Sequence, residues 1–156
     1  MPRHAGAMLL VAILSITATQ RSSAQNADSS ANAMVVVSAN EIAWGPIEVP
    51  GFPTGMKIAV IQGDLAGTGP YTLRLSFPDG YRFPAHWHPM AENLTVLTGT
   101  LIVAMGDRVD DSKLKTYQAG DFLVLPGTMP HFGGAKGPTV IQLHGQGPFT
   151  INLAKP

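Results

Sequence analysis

Four side chains that can bind a metal lie in two short stretches of the sequence. His86 and His88 are separated by a single residue, Glu92 follows after a bend at Pro89, and His131 lies in the second stretch. Side chains alternate between the two faces of an extended segment, so His86 and His88 project to one face, and Glu92, at an even offset, can reach it too. Three neutral imidazole nitrogens and one carboxylate oxygen suit a divalent transition metal.

The alternative is that these histidines have no ligand role. A single His-x-His pair is more often two surface histidines, or two core histidines with satisfied hydrogen bonds, than a metal site. The chain has five histidines, and three of them stand at the required spacings with a carboxylate as the fourth group. The sequence therefore favours the metal site.

The residues around these four side chains resemble the two motifs of the cupin superfamily. The first reads Gly80-x5-His86-x-His88-x3-Glu92-x6-Gly99, and the second reads Gly120-x5-Pro126-x4-His131. The chain departs from the family at Thr128, where glycine is frequent but Gly127 can compensate, and at Ala135, where a frequent asparagine is not a ligand. The resemblance implies a small-molecule ligand or substrate without naming it. It also makes a homodimer one expected assembly, because small cupins often pair.

Short apolar segments separated by glycine and proline turns predict an all-β protein. The predicted strands cover residues 34–37, 41–44, 57–61, 71–77, 93–98, 100–105, 121–125, 138–144 and 148–153, and a charged hairpin tip covers 108–115. This spacing is typical of a sandwich or a barrel, and by itself it leaves an immunoglobulin-like sandwich and a jelly roll open. The resemblance implies the double-stranded jelly-roll β-barrel, in a single domain without internal repeats.

The first 24 residues have the features of a secretory signal peptide. A basic start at Arg3 precedes an apolar run over 5–18, and small residues precede a cleavage site after Ala24. A cut after Ala33 and an uncleaved membrane anchor are the alternatives. The prediction is a signal peptide (1–24), a disordered leader (25–33) and a cupin domain (34–156). The mature protein is expected to be secreted or periplasmic, with no stable membrane insertion after cleavage.

Charge and cysteine content exclude several classes of partner and chemistry. The chain has 10 basic and 10 acidic residues, and removal of Arg3 and Arg21 leaves 8 and 10, a net charge of −2. No basic stripe is present, so neither nucleic acid nor an anionic membrane surface is an expected partner. The absence of cysteine excludes disulfides, thiol nucleophiles and blue-copper sites.

A metal held by four protein groups suggests an enzyme. Such a set leaves one or two positions of an octahedral ion open, as a reactive site requires. Manganese, iron and zinc are the expected metals. Because no carboxylate other than Glu92 falls at the site, a dedicated general base is missing, and a dioxygenase acting on a small oxygenated organic substrate is favoured. A non-catalytic metal- or ligand-binding or sensor cupin, a metal-dependent lyase or isomerase, and a structural domain with a vestigial site are the alternatives.

Alternation also predicts which residues line the pocket. Gln142 and His144 are predicted to line the cavity near the metal, while Ile141 and Leu143 pack between the sheets. Arg74 could hold a substrate carboxylate if the face that it shares with Thr72 and Ser76 points inward. The alternatives place His144 in solvent and Arg74 on an outer face. An apolar mouth is predicted from residues adjacent to the ligands in sequence, namely Tyr81, Phe83, Met129 and Phe132.

Overall fold

Nine β-strands make up most of the regular structure of residues 34–155, which are described by a computed structural model. The strands are β1 (Gly45–Pro46), β2 (Lys57–Gln62), β3 (Pro70–Phe77), β4 (Arg82–Trp87), β5 (Glu92–Met105), β6 (Lys115–Gln118), β7 (Phe122–Leu125), β8 (His131–Gln146) and β9 (Asn152–Leu153). Two single turns of 3-10 helix cover Ala39–Glu41 and Asp111–Lys113. The predicted all-β class is confirmed. No helix in this range is long and apolar enough to cross a membrane.

All nine strands belong to one sheet built around β5 and β8. The strand order is β1-β2-β3-β8-β4-β9, while β5 pairs with β8 along one edge and with β6 and β7 along the other. Every pairing is antiparallel. The compact unit that contains this sheet runs from Val37 to Pro156. The predicted signal peptide and leader lie outside the described residues.

The long strand β5 curls strongly. Its last residue, Met105, is the ladder partner of His131, yet the carboxylate of its first residue, Glu92, lies 3.8 Å from the His131 imidazole. A straight strand of this length would hold its ends about 40 Å apart. Gly99, which has a positive φ of 77°, lies within the second of two register shifts in the β5–β8 ladder, and such irregularities bend a strand. The curl thus brings the ends of β5 and β8 to one place.

Alternation fills the inside of the curl with apolar side chains. In β3 the odd residues Tyr71, Leu73, Leu75 and Phe77 are buried and the even ones are half-buried, as the sequence predicts. Leu73, Val96, Leu101 and Leu143 are among the most deeply buried residues of the same cluster. Burial of each such side chain contributes about 1.5–3 kcal/mol, so this core, rather than local propensity, sets the strand register.

Several strand boundaries differ from the prediction. Residues 34–37 and 41–44 form no strand, and β6 includes residues beyond the predicted charged tip. The segments predicted as strands over 93–98 and 100–105 form the single strand β5, and β8 begins at His131 rather than at residue 138.

Gly133 and Gly134 lie within β8, and neighbouring backbones approach them too closely for a side chain to fit. A Cβ atom at Gly133 would lie 2.0 Å from the Ile102 carbonyl oxygen, and one at Gly134 would lie 2.1 Å from that of Tyr81. The two glycines therefore allow β4 and β5 to pack against β8. In the sequence the pair looks like a turn, but in the structure it makes room for the neighbouring backbones.

Candidate metal centre

The candidate ligands lie at the ends of three strands. His86 is near the end of β4, Glu92 begins β5, and His131 begins β8, directly opposite His86 in the β4–β8 ladder. His88 follows β4 by one residue. The structure thus brings together two stretches of sequence that the motif spacing had singled out.

The three imidazoles are in mutual contact. One ring nitrogen from each of His86, His88 and His131 lies within 4.8 Å of the others, a separation at which one ion can touch all three. The ring centroids are 4.3 Å apart for His86 and His131, and 5.1 Å apart for His86 and His88. Glu92 closes the group, with its carboxylate oxygens 3.4 Å from His88 Nε2 and 3.8 Å from His131 Nε2.

Backbone carbonyls select which nitrogen of each ring is free. The Nδ1 atoms lie 2.8 Å from Pro84 O for His86, 2.7 Å from Thr150 O for His88 and 3.4 Å from Met129 O for His131. A carbonyl oxygen only accepts hydrogen bonds, so each Nδ1 carries the proton and donates it. The Nε2 lone pairs remain free, an arrangement that orients imidazole ligands in metal sites.

Burial keeps these imidazoles neutral. The pKa of His86 is lowered to about 3, chiefly by burial and then by the proximity of His131. Burial, and next His88, lowers the pKa of His131 to about 4. The pKa of His88 is also lowered by burial, against the opposing effect of its hydrogen bond to Thr150. All three rings can therefore donate a lone pair at neutral pH.

Glu92 is a buried acid without a permanent cation. Burial raises its pKa to about 8, and the side chain is 4% exposed. Among residues 34–155, the only basic side chains with a nitrogen within 4.0 Å of its carboxyl oxygens are His88 and His131, and both of these rings are neutral. A divalent cation would reverse this penalty by pairing with the carboxylate. Three free imidazole lone pairs beside an unpaired carboxylate therefore fit a divalent metal.

The four side chains face a small apolar cavity of about 40 Å³. Apart from the Met56 thioether, its other lining side chains are aliphatic or aromatic, among them Leu75, Phe83, Leu94, Ile141, Leu143 and Phe149. No lysine, arginine, amide or hydroxyl side chain of the described residues joins them.

Aromatic rings surround the histidines. Phe52 and Phe83 meet His86 edge to face, with ring centroids 4.9 and 5.5 Å apart. Phe149 stacks on His88 at 5.3 Å with an interplanar angle of 14°. Sequence reasoning missed Phe52 and Phe149, because they lie far from both motifs in the chain. Phe52 stands among the turn residues Pro50 and Pro53, and Phe149 stands in the predicted strand 148–153, of which only Asn152–Leu153 is a strand.

The predicted pocket residues of β3 and β8 lie on the opposite face of the sheet. Arg74 Nε donates to Gln142 Oε1 at 2.8 Å, Gln142 Nε2 is 3.1 Å from His144 Nε2, and His144 Nδ1 is 3.1 Å from Thr72 Oγ1. Ile141 and Leu143 line the cavity instead. The predicted alternation is present, but its assignment to the two faces was wrong, because the barrel interior here is apolar and accepts the aliphatic set.

The predicted mouth is only partly present at the cavity. Phe83 lines it, whereas Tyr81 is buried in the core and donates a hydrogen bond to Pro53 O. Phe132 packs in a second cluster with Ala85 and Ala104, and Met129 is half-exposed. Neither Phe132 nor Met129 lines the cavity, so proximity in sequence to His131 was a poor guide. Their side chains point elsewhere.

Comparison with known proteins identifies the family. Residues 73–143, which include all four candidate ligands, match the model of the cupin domain. The chain belongs to the cupin superfamily. No curated protein sequence matches it.

Solved structures share the fold of this cupin at low sequence identity. The polyketide cyclase RemF from Streptomyces resistomycificus is 12% identical, with 80% of this chain and 87% of that chain covered and a TM-score of 0.66. A candidate acetylacetone dioxygenase from Methylibium petroleiphilum PM1 is 18% identical, with coverage of 78% and 81% and a TM-score of 0.62. A cupin 2 conserved barrel domain protein from Rhodopseudomonas palustris is 12% identical, with coverage of 72% and 77% and a TM-score of 0.58. These likenesses support the predicted double-stranded jelly roll.

Proposed function

We propose that this cupin is a metal-dependent enzyme that acts on a small oxygenated organic substrate, with dioxygenase chemistry. The observation that carries the proposal is the convergence of three neutral imidazoles and one buried carboxylate on an apolar cavity. A purely structural metal site is normally closed by its ligands, whereas these side chains face a space that a substrate group can enter. The names of the cyclase and of the candidate dioxygenase with the same fold are consistent with small-molecule chemistry.

His86, His88, Glu92 and His131 would hold the metal. When bound, a redox-active divalent ion supplies Lewis acidity and electron transfer to dioxygen. The protein's own contribution is positioning, since the carbonyls of Pro84, Thr150 and Met129 fix the rings through Nδ1. Apolar walls keep bulk water from the donors, which strengthens every electrostatic interaction there.

The absence of a second proton-transfer group favours oxygen chemistry over a lyase or isomerase reaction. Among the described residues that line the cavity, the only ionisable side chains are the four candidate ligands. Proton abstraction would need a base within hydrogen-bonding reach of the substrate in addition to them. A dioxygenase adds both atoms of dioxygen to its substrate and needs no such base.

A non-catalytic metal- or ligand-binding role is the second candidate. It is favoured by the small cavity and by the aromatic rings of Phe52 and Phe149, which lie against His86 and His88. In that case the metal would bind tightly, and no organic compound would be consumed.

Metal content followed by oxygen uptake tests the proposal. Purified wild type should contain about one equivalent of manganese or iron by elemental analysis, and His88→Ala should contain almost none. Zinc, which has no redox chemistry, would fill the same site but would argue against a dioxygenase. His144→Ala is the matched control, because this histidine lies on the opposite face of the sheet. Oxygen consumption with phenolic and diketone compounds in wild type, but not in His88→Ala, would support the dioxygenase. A full metal content without turnover of any compound would favour the binding role, and no metal would overturn both.

We also propose that the protein is exported after cleavage near Ala24. The apolar run over 5–18 and the small residues before the cut support this. N-terminal sequencing of exported protein should begin near Gln25. An intact Met1 would instead favour the membrane-anchor alternative.

A further inference from the structure

The chemistry of the cavity wall restricts what can bind beside the candidate ligands. Its lining side chains offer no hydrogen-bond donor or acceptor other than His86, His88, Glu92 and His131. A sugar, an amino acid or a phosphorylated compound would bury hydroxyl or charged groups against aliphatic and aromatic carbon. Each such group would lose its water without gaining a partner, which costs about 1–3 kcal/mol for a neutral group and far more for a charge.

A suitable ligand must therefore carry all its polar atoms at one end. That end would meet the four candidate ligands, where an ion with one or two open positions accepts one or two oxygen atoms. The rest of the molecule would lie against side chains such as Leu75, Ile141 and Leu143, which face the cavity from β3 and β8. Affinity would then depend on the apolar area that the body buries.

Phe149 is placed to limit the length of that body. It stacks on His88 and meets Tyr71 edge to face at 5.5 Å, so it lies between a candidate ligand and the barrel wall. Its backbone is held, because Phe149 N donates to Leu65 O at 2.8 Å and the next residue, Thr150, accepts from His88 Nδ1 at 2.7 Å. Because the cavity is small, a body of more than a few carbons would meet this ring.

We propose that the cavity takes a compound with one or two oxygen donors at one end and a short, uncharged apolar body, and that Phe149 determines the length of this body. This inference rests on the proposed metal site. It adds the class of substrate and the residue that sets its size. Sugars, amino acids and phosphorylated compounds are excluded as substrates.

Hydroxamic acids test the inference without turnover. Their head group chelates zinc through two oxygens, and their tail can be varied alone. Isothermal titration would measure the affinity of the zinc-loaded protein for aceto-, butano-, pentano-, hexano- and octanohydroxamic acids. 4-Aminobutanehydroxamic acid is the matched polar probe, because its ammonium tail has the length of the pentano tail. Zinc content is measured on each sample.

Affinity should rise about fourfold per methylene until the tail reaches Phe149, and then level off. The ammonium tail should bind at least tenfold more weakly than the pentano tail. Phe149→Ala should move the plateau to a tail longer by two or three carbons. Phe122→Ala should leave the series unchanged, because that ring is 60% exposed on β7 and does not line the cavity.

The outcomes separate the inference from the proposed function. If zinc is present but affinity is independent of the tail, or if the ammonium tail binds as tightly as the pentano tail, the substrate class is wrong and the metal site stands. If the plateau does not move in Phe149→Ala while it also stays fixed in Phe122→Ala, the length-limiting role is wrong. If no zinc binds and no hydroxamate binds, the metal site and the inference both fail.

Discussion

The two faces of the β3–β8 pair carry opposite kinds of chemistry. On the inner face, Ile141 and Leu143 line the same cavity as the three grouped imidazoles and the Glu92 carboxyl group. On the outer face, Arg74, Gln142 and His144 form a chain in which each polar group satisfies the next. The outer polar groups hydrogen-bond to one another and so stabilise the sheet. The inner polar groups lie in an apolar cavity, where they are available to bind a ligand.

The outer chain has a defined direction of hydrogen bonding. Arg74 Nε–H donates to Gln142 Oε1, which turns the amide nitrogen of Gln142 towards His144 Nε2. An amide nitrogen only donates, so Nε2 accepts and His144 Nδ1–H donates to Thr72 Oγ1. None of these hydrogen-bonded side chains requires a metal or a ligand. The difference between the faces is therefore one of partners and not of residue types, since both contain histidine.

Removal of core contacts on the inner face should have the largest effect on stability. Leu143 is 2% exposed, and Leu143→Ala should lower the free energy of unfolding by about 2–5 kcal/mol through lost burial and the cavity that remains. Urea unfolding of the metal-free protein measures this. A loss below 1 kcal/mol would show that the inner face is not the core of the fold.

Metal binding should come next in magnitude. A ligand that binds only the folded protein stabilises it by about 2.7 kcal/mol at a hundredfold excess over Kd, which raises the Tm of a domain of this size by roughly 8–13 °C. A chelator should lower the Tm of wild type and of His144→Ala by this amount. The Tm of His88→Ala should not change on addition of the chelator. A chelator-sensitive shift in His88→Ala equal to that of wild type would contradict the ligand assignment.

The pH dependence of the metal-free protein should reveal the buried carboxyl. The pKa of Glu92 is raised from its ordinary value of 4.5 to about 8, so the folded protein keeps a proton that the unfolded chain loses, and stability falls as the pH rises through this range. His86 and His131 have lowered pKa values of about 3 and 4, so their effect is a loss of stability as the pH falls below 6.5.

Between pH 6.5 and 8 the Glu92 effect is measured as the difference between wild type and Glu92→Gln, because the histidines of the unfolded chain still release protons there in both proteins. We expect metal-free wild type to lose about 1.6 kcal/mol relative to Glu92→Gln over this interval. Bound metal should remove this fall in wild type by pairing with the carboxylate. Unfolding curves at several pH values measure this, and a metal-free difference that stays constant from pH 6.5 to 8 would contradict the raised pKa.

The sequence predicts the site better than its surroundings for a physical reason. The alternation of His86 and His88 and the spacing to Glu92 are local, and the motifs singled out His131. The face that Gln142 and Leu143 occupy depends on what fills the barrel, which no single strand encodes. Phe52 and Phe149 lie far from the histidines in the sequence and contact them only in the folded protein. Gly133 looks like a turn residue until the strand beside it is known.

The outer chain of hydrogen bonds should give the smallest effect. Gln142→Ala removes the partner of both Arg74 and His144, but all three side chains are half-buried, so water can replace the lost contacts. The net value of such hydrogen bonds is about 1 kcal/mol, and we expect the loss in unfolding free energy to stay at or below this figure.

Zinc affinity in Gln142→Ala should equal that of wild type, because the chain lies on the face opposite to the metal centre. A double-mutant cycle with Arg74→Ala would measure the coupling, which should be about 0.5 kcal/mol or more for groups in direct contact. If Gln142→Ala instead weakened zinc binding as much as His88→Ala does, the two faces could not be independent. The contrast between an outer face whose polar side chains bond to one another and an inner face that binds a ligand would then be wrong.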